Sequence, residues 1–593
     1  MKALFALNVY LKKYRWPMLA GILFVVLSNG LAVLVPSFLR QGLDDALLQS
    51  KWMRGAGLGD LPERIGHIAL AFGVALVLAA ATKGVFMYYM RQTLVVVSRR
   101  VEYDLKNELY AKYQRLGEGF YRQHFTGDLM SRIGEDVSNV RMYIGPAIMY
   151  FANVLFTFVA VLYQMLRVNA ELTLWVLIPL PILSISIYQV SRLINQGNKR
   201  IQEQLSVLTT FAQETFSGIR VIKSFGAENA FNRRFLEEGQ EFQRRNLKLA
   251  KINALFFPLM LFLMGLSTLL VLYLGGLEVQ KGTFTPGNMA EFILYLNMLI
   301  WPVASLGWTT ALVQKAAASQ KRINEFLDYA EPETGSGVSY QFEEKLSVKV
   351  DSFVYAGKSN PALNGVEFEV QKGKILGITG RTGSGKSTLI QLIAGQLGTD
   401  SGAQFSGNVC LDGIPSSTMR KVDFRRHLAY VPQDVFLFSE TIEENIRFGA
   451  VESDCDDTCL QNAIDIANLK RDLEQWPSGL ATVLGERGVS LSGGQKQRVS
   501  IARALVRQAD LFLLDDCLSA VDAETEYKII EKLKQHLQGK TAIIVSHRIA
   551  PLQFTDEVMV LDEGSVIQKG THESLLKETG LYRQLYERQF EEE

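Results

Sequence analysis

Between Gly380 and Ser387 the chain reads Gly-Arg-Thr-Gly-Ser-Gly-Lys-Ser, a spacing that suits the capture of a polyphosphate. The pattern Gly-x-x-x-x-Gly-Lys-Ser stands directly after an apolar run and before a helical one, the context a phosphate-cradling loop requires. Gly383 and Gly385 carry no Cβ, so backbone N–H groups can turn inward and approach phosphate oxygens. The following helix directs the positive end of its dipole at the same point. Lys386 is placed to reach the β- and γ-phosphates of a nucleotide, and the Ser387 hydroxyl to bind Mg²⁺. Three further groups sit at the ends of short apolar runs. Asp515 closes Leu511 to Leu514 and suits a carboxylate holding Mg²⁺ through water. His547 follows Ala542 to Val545 and Ser546, near where a γ-phosphate would lie, and Gln433 follows Leu428 to Val431, where it can bridge metal and attacking water. Phosphoryl transfer is mostly positioning and charge stabilisation, so these few groups suffice for hydrolysis.

Those residues need a rigid frame. Strand-like runs begin at Leu346 and alternate with helical patterns, which predicts an α/β ATPase domain with a parallel sheet over residues 346–593. Residues 331–345, with Pro332, Gly335 and Gly337, read as a linker. Residues 1–330 are different in kind. Six stretches there lack Asp, Glu, Lys and Arg: Trp16 to Leu39, Ile65 to Thr82, Met142 to Leu166, Leu172 to Ser191, Ile252 to Leu277, and Phe292 to Gln314. Crossing the hydrocarbon takes about 20 apolar residues, so an α-helical membrane domain of six spans is expected. Basic residues concentrate in Arg91 to Arg141 and Arg192 to Lys251, which puts these segments, both termini and the ATPase domain in the cytoplasm of a multi-pass protein of the cell membrane. Both segments read as helical arms reaching about 35 Å or more from the bilayer. Their tips, near residues 117–128 and 210–218, are suited to dock on a soluble domain. Residues 2–15 read as an amphipathic surface helix rather than a signal peptide. Lys83 reads as a snorkelling lysine or, alternatively, a transport-site group, and Asn29, Asn153, Gln164 and Asn297 as groups that bond between helices or line a transport path.

The chain has 593 residues and balances 62 Lys and Arg against 61 Asp and Glu, which argues against nucleic acid as a partner. Cys410, Cys455, Cys459 and Cys517 have no paired-ligand spacing and read as reduced structural thiols.

Leu491 to Arg498, LSGGQKQR, joins the phosphate loop in a set that resembles the nucleotide-binding domain of ATP-binding cassette transporters. The resemblance implies that two such domains sandwich two ATP molecules head to tail. By position, Tyr355 corresponds to the aromatic stacking on adenine, and Gly380, Arg381, Thr382, Gly383, Ser384, Gly385, Lys386, Ser387 and Thr388 to the phosphate loop. Ser387, Gln433 and Asp515 correspond to the metal-binding set, Ser492, Gly493, Gly494 and Gln495 to the signature that faces a partner's nucleotide, Ser519 to Asp522 to the interface loop, and His547 to the switch histidine. Thr482 to Gly488 resembles a loop that touches a coupling helix. The runs from Phe120 and from Glu214 resemble the two coupling regions of exporters with a fused membrane domain, so the resemblance covers nearly the whole chain. It implies half of a multidrug or lipid exporter, with ATP and Mg²⁺ as cofactors, membrane lipid and a small amphipathic substrate as contacts, and a second half-transporter as partner.

One residue departs from the pattern. The family usually places glutamate, the base that polarises the attacking water, after the strand-end aspartate; here it is Asp516. One methylene less draws the carboxylate back by about 1.5 Å, and a misplacement of that order costs about 10²-fold in rate. The expectation is a slow own site, with LSGGQ completing a fast one on a different chain that carries the glutamate. The rival readings are an aspartate that still works as the base through compensating backbone shifts, an ATP-gated regulatory or channel-like subunit, and a homodimeric lipid flippase.

Overall fold

In lipid, apolar runs of about 20 residues can satisfy their backbone polar groups within themselves as helices, and the first half of the chain forms long helices. The computed structural model describes residues 2–56, 61–331, 341–398, 402–450, 455–485, 488 and 491–591. The chain divides into two units: residues 1–113 with 127–329, and residues 114–126 with 330–593. Residues 332–340, on which most of the predicted linker falls, lie outside the described residues.

The first unit is all helical. Among the described residues, five helices are long and apolar enough to cross a membrane: Arg15–Leu48, Ala69–Arg115, Thr126–Val168, Glu228–Gln280 and Pro286–Leu327. The remaining predicted span, Leu172 to Ser191, is divided between the helices Ala170–Leu177 and Pro179–Ser217, which meet at Ile178. Pro179 and Pro181 have no N–H for the carbonyls of Trp175 and Leu177, and the helical ladder is interrupted there. The apolar side chains of the spans face outward in numbers no water-exposed surface tolerates; Leu70 is 66 % exposed and Val77 68 %. Inside the bundle Val33, Val161, Met165, Val176, Val271, Phe292 and Tyr295 pack together. The Tyr295 hydroxyl donates to Val33 O (3.2 Å) and to Glu291 Oε1 (3.0 Å), while Arg40 lies 3.3 Å from Glu291. Glu291 is buried one residue before the predicted sixth apolar stretch, where a search for uncharged runs stops. Asn153, expected to bond between helices or line a path, accepts from Thr157 one turn along its own helix (3.2 Å).

The basic arms are helices. Pro179–Ser217 and Glu228–Gln280 pack side by side. Buried Gln204 donates to Glu238 Oε2 (2.6 Å) and Arg245 to Arg200 O (2.9 Å), tying the pair together over one stretch.

The second unit holds two sheets. Strands β1 (Lys345–Val354), β2 (Leu363–Gln371), β4 (Gln404–Leu411) and β5 (Ile414–Pro415) form an antiparallel sheet in the order β2-β1-β4-β5. This layer differs from the parallel sheet that the sequence suggests. No helix separates β1 from β2, and without a crossover the two can pair only antiparallel. The larger sheet runs β10-β9-β3-β8-β7-β6, with β3 (Ile375–Gly380), β6 (Leu428–Val431), β7 (Leu511–Asp515), β8 (Thr541–Val545), β9 (Glu557–Asp562) and β10 (Ser565–Gly570). It is parallel from β9 through β6, with β10 an antiparallel edge. Every residue of β3, β7 and β8 is buried, as expected for a parallel sheet covered on both faces. Residues 114–126 belong to this unit, and there Arg122 donates to Gln391 Oε1 (2.9 Å) and lies over the Tyr355 ring at 6.0 Å.

Candidate nucleotide site and signature helix

In an open parallel sheet, ligands bind beyond the carboxyl ends of the strands. Adjacent β3, β8 and β7 end at Gly380, Val545 and Asp515, so the topology brings together residues far apart in sequence. The loop after β3 turns on Gly380 (φ 146°), Gly383 (φ 85°) and Gly385 (φ 98°). A Cβ at Gly385 would stand 2.6 Å from Ala362 O, so backbone packing, as well as φ, demands glycine there.

The helix Lys386–Ile393 starts directly beyond. Lys386 is only 5 % exposed, and its Nζ donates to Gly380 O (2.9 Å), Arg381 O (2.8 Å) and Ser384 Oγ (3.3 Å). Burial draws its ammonium down to about 8, against the upward pull of Asp516 and Asp515. A polyphosphate supplies the countercharge such a group lacks. Ser387 Oγ donates to Asp515 Oδ1 at 3.3 Å. Burial, helped by the charge of Asp516, holds the Asp515 carboxyl up at about 6. A buried carboxylate beside a hydroxyl is a hard-oxygen pair that suits Mg²⁺, so the residues present fit that ion. Gln433 lies just past β6, exposed. Tyr355 is placed by a 2.9 Å hydrogen bond between its hydroxyl and Thr388 Oγ1 and by an edge contact with Phe353 at 5.1 Å.

Asp516 is 7 % exposed and takes the left-handed conformation, φ 46°. Its N–H donates to Val545 O (2.9 Å), and its Oδ1 accepts from His547 N (3.4 Å). Burial first, then Lys386, lowers the His547 imidazole below its ordinary value.

A second cluster surrounds the helix Gly493–Leu505. Ser492 caps it reciprocally with Gln495: Gln495 N donates to Ser492 Oγ (3.3 Å) and Ser492 N to Gln495 Oε1 (2.9 Å). Gln495 Nε2 donates in turn to Asp472 Oδ1 (2.9 Å), which also accepts from Arg498 Nη2 (3.1 Å), while Asp472 Oδ2 accepts from Arg498 Nη1 (2.5 Å). A Cβ on Gly494 would lie 2.8 Å from Ala520 O, so the helix start is pressed against the Ser519 to Asp522 loop. Gln497 fixes that loop by donating to Ser519 Oγ and accepting from Ala520 N, both at 2.9 Å. Asp522 caps the next helix through Thr525 N (2.9 Å). Arg548 donates to Val521 O (3.2 Å) and pairs with Glu526, linking the residue after His547 to the same loop.

The structure therefore brings Gly380 to Thr388, Tyr355, Asp515, Asp516 and His547 into one cluster, and Ser492 to Gln495, Ser519 and Asp522 into another. Asp472, Arg548 and Glu526 escaped the sequence reading; no local spacing marks them, since their partners lie more than twenty residues away. Of the loop Thr482 to Gly488, Thr482 O accepts from Ile442 N (3.1 Å), whereas Glu486 and Arg487 lie outside the described residues.

Two family descriptions match the chain: "ABC transporter transmembrane region" over residues 18–303 and "ABC transporter" over residues 363–519. The multidrug resistance-like ATP-binding protein MdlA of Escherichia coli is 34% identical over 513 residues, 86% of this chain and 86% of its own. The probable multidrug resistance ABC transporter ATP-binding/permease protein YheI of Bacillus subtilis is 33% identical over 98% of this chain and 97% of its own. The ATP-dependent lipid A-core flippase of Pseudomonas aeruginosa is 32% identical over 96% and 90%. A solved bacterial Atm1-family ABC exporter with ATP bound shares the fold, with TM-score 0.77, 23% identity, and 97% of this chain and 99% of that one covered.

Proposed function

The chain belongs to the ABC transporters, its membrane region and ATPase fused in one polypeptide, and we propose that it is one half of a heterodimeric exporter of hydrophobic or amphipathic compounds, drug-like molecules or lipids. ATP hydrolysis drives transport, and the protein is multi-pass. The names of its relatives, multidrug resistance proteins and lipid A-core flippases, support that class of cargo. Residues 1–330 form the transport half and 346–593 the ATPase, which with both termini lies on the cytoplasmic side.

The convergence of Lys386, Ser387, Asp515 and His547 at the ends of adjacent parallel strands carries this reading. Tyr355 stacks on adenine. The loop Gly380 to Thr388 binds the phosphates through its N–H groups and Lys386. Ser387, Asp515 and Gln433 would hold Mg²⁺, which when bound would supply charge neutralisation to the triphosphate. Asp516 orients the attacking water, and His547 contacts the γ-phosphate. Ser492, Gly493, Gly494 and Gln495 face the partner's nucleotide, and Ser519 and Asp522 line the interface. Closure of the two ATPase domains, passed on near residues 117–128 and 210–218, turns the spans from inward- to outward-facing.

Asp516 supports the heterodimer. It is short for a base, and its Oδ1 already accepts a hydrogen bond from His547 N. Asp516→Glu should raise turnover at this chain's own loop by about 10²-fold, read in the purified natural complex. A fully active assembly built only from this chain sinks the heterodimer, as does Asp516→Glu leaving hydrolysis unchanged in a homodimer.

A further inference from the structure

The helix Leu581–Glu591 turns one face, Tyr582, Leu585, Tyr586 and Gln589, toward the ATPase core. Tyr582 is fully buried, and Leu585 and Tyr586 pack on a cluster that includes Ile549 and Leu552. At the end of that face the Gln589 carboxamide bridges the segment following β8. Its Nε2 donates to His547 O at 2.7 Å, and its Oε1 accepts from Ile549 N at 2.9 Å. One partner is a carbonyl and the other an N–H, which fixes the orientation of the amide. Around the same segment, His547 N donates to Asp516 Oδ1 (3.4 Å) and Arg548 N to Ser546 Oγ (2.9 Å). The His547 backbone is thus held between the strand-end acid on one side and the C-terminal helix on the other.

We propose that Gln589 is a positioning residue for His547: its carboxamide sets the backbone, and so the imidazole, where a γ-phosphate must be met, tying recognition of the triphosphate to the seating of the C-terminal helix. The proposal rests on the reading of His547 as the γ-phosphate contact. Only a carboxamide of this length serves. Glutamate has no donor for His547 O, lysine has no acceptor for Ile549 N, and asparagine falls short by about 1.5 Å.

The test uses the full assembly. Displacement of a photoreactive adenine nucleotide from this chain gives its affinities for MgADP and for the non-hydrolysable imido analogue of ATP. His547→Ala should weaken the triphosphate analogue about tenfold and leave ADP unchanged, the size of one hydrogen bond to a charged group. Gln589→Ala and Gln589→Glu should weaken the analogue several-fold with ADP unchanged, and Gln589→Ala in a His547→Ala background should add nothing. A merely structural role would lower both affinities together. Equal loss of both nucleotides, no loss in either Gln589 variant, or an additive double variant overturns the proposal while His547→Ala stays selective. If His547→Ala is itself unselective, the histidine reading fails first and the proposal with it.

Discussion

Asp472→Leu probes the support beneath the signature helix. The Asp472 and Arg498 side chains are 11 % and 13 % exposed, and their paired bonds span 2.5 and 3.1 Å. Removing one partner of a buried pair costs about 3–5 kcal/mol, because the remaining charge is left uncompensated. Arg498 keeps one bond, to Asn468 O at 2.8 Å, which places the loss at the lower end. For a domain of this size about 3 kcal/mol lowers the melting temperature by roughly 6–12 °C. Replacing both partners, Asp472→Leu with Arg498→Met, removes the stranded charge, and such apolar swaps are often near neutral. The double variant should therefore recover most of the lost stability. It should not recover ATPase activity, because Gln495 Nε2 loses its acceptor in either case; about tenfold loss is expected in the assembly. Differential scanning fluorimetry of the detergent-solubilised protein and steady-state phosphate release by the assembled transporter give the two readouts. A double variant as unstable as Asp472→Leu alone, or one with full ATPase activity, refutes the reasoning.

Gly385→Ala forces a side chain into φ 98° and against Ala362 O, so it should destabilise by about 2 kcal/mol or more and abolish nucleotide binding, measured by fluorescent-nucleotide titration. Lys386→Ala removes the buried cation of the phosphate loop and should abolish ATP-driven uptake into sealed inverted vesicles; retained uptake contradicts the assigned role. Burial pushes His536 down to about 4, and its Nε2 accepts from Lys540 Nζ at 2.9 Å. The unfolded chain therefore binds the proton more readily. The stability from keeping this histidine neutral is complete above pH 6.5 and lost as pH falls from there toward 4, by about 1–2 kcal/mol after allowance for its partial exposure. His536→Gln should flatten that part of the melting-temperature profile; an unchanged slope counts against it.

Contiguous signals made much of this protein legible in its sequence. The phosphate loop could be read because its glycines, lysine and serine act through backbone conformation within eight residues, and the structure gives Gly383 and Gly385 the positive φ that such a loop needs. The apolar spans could be read because a bilayer imposes length and composition on each helix separately. Leu172 to Ser191 shows the limit: composition records the apolar residues, while Pro179 and Pro181 decide that two helices share them. The antiparallel β2-β1-β4-β5 sheet was hidden for a related reason, since strand direction depends on the connection and on which edge is available.

The sequence by itself determined that this chain holds a glycine-rich loop ahead of a helix, an LSGGQ segment and a membrane half, because each is written in neighbouring residues. Only the tertiary structure decided what holds those pieces in place. Asp472 under Gln495 and Arg498, Arg548 on Val521, and Gln589 on His547 join residues 23 to 42 positions apart. Such partners are chosen by which backbone groups burial leaves without water, and that choice exists only once the sheets and helices have packed.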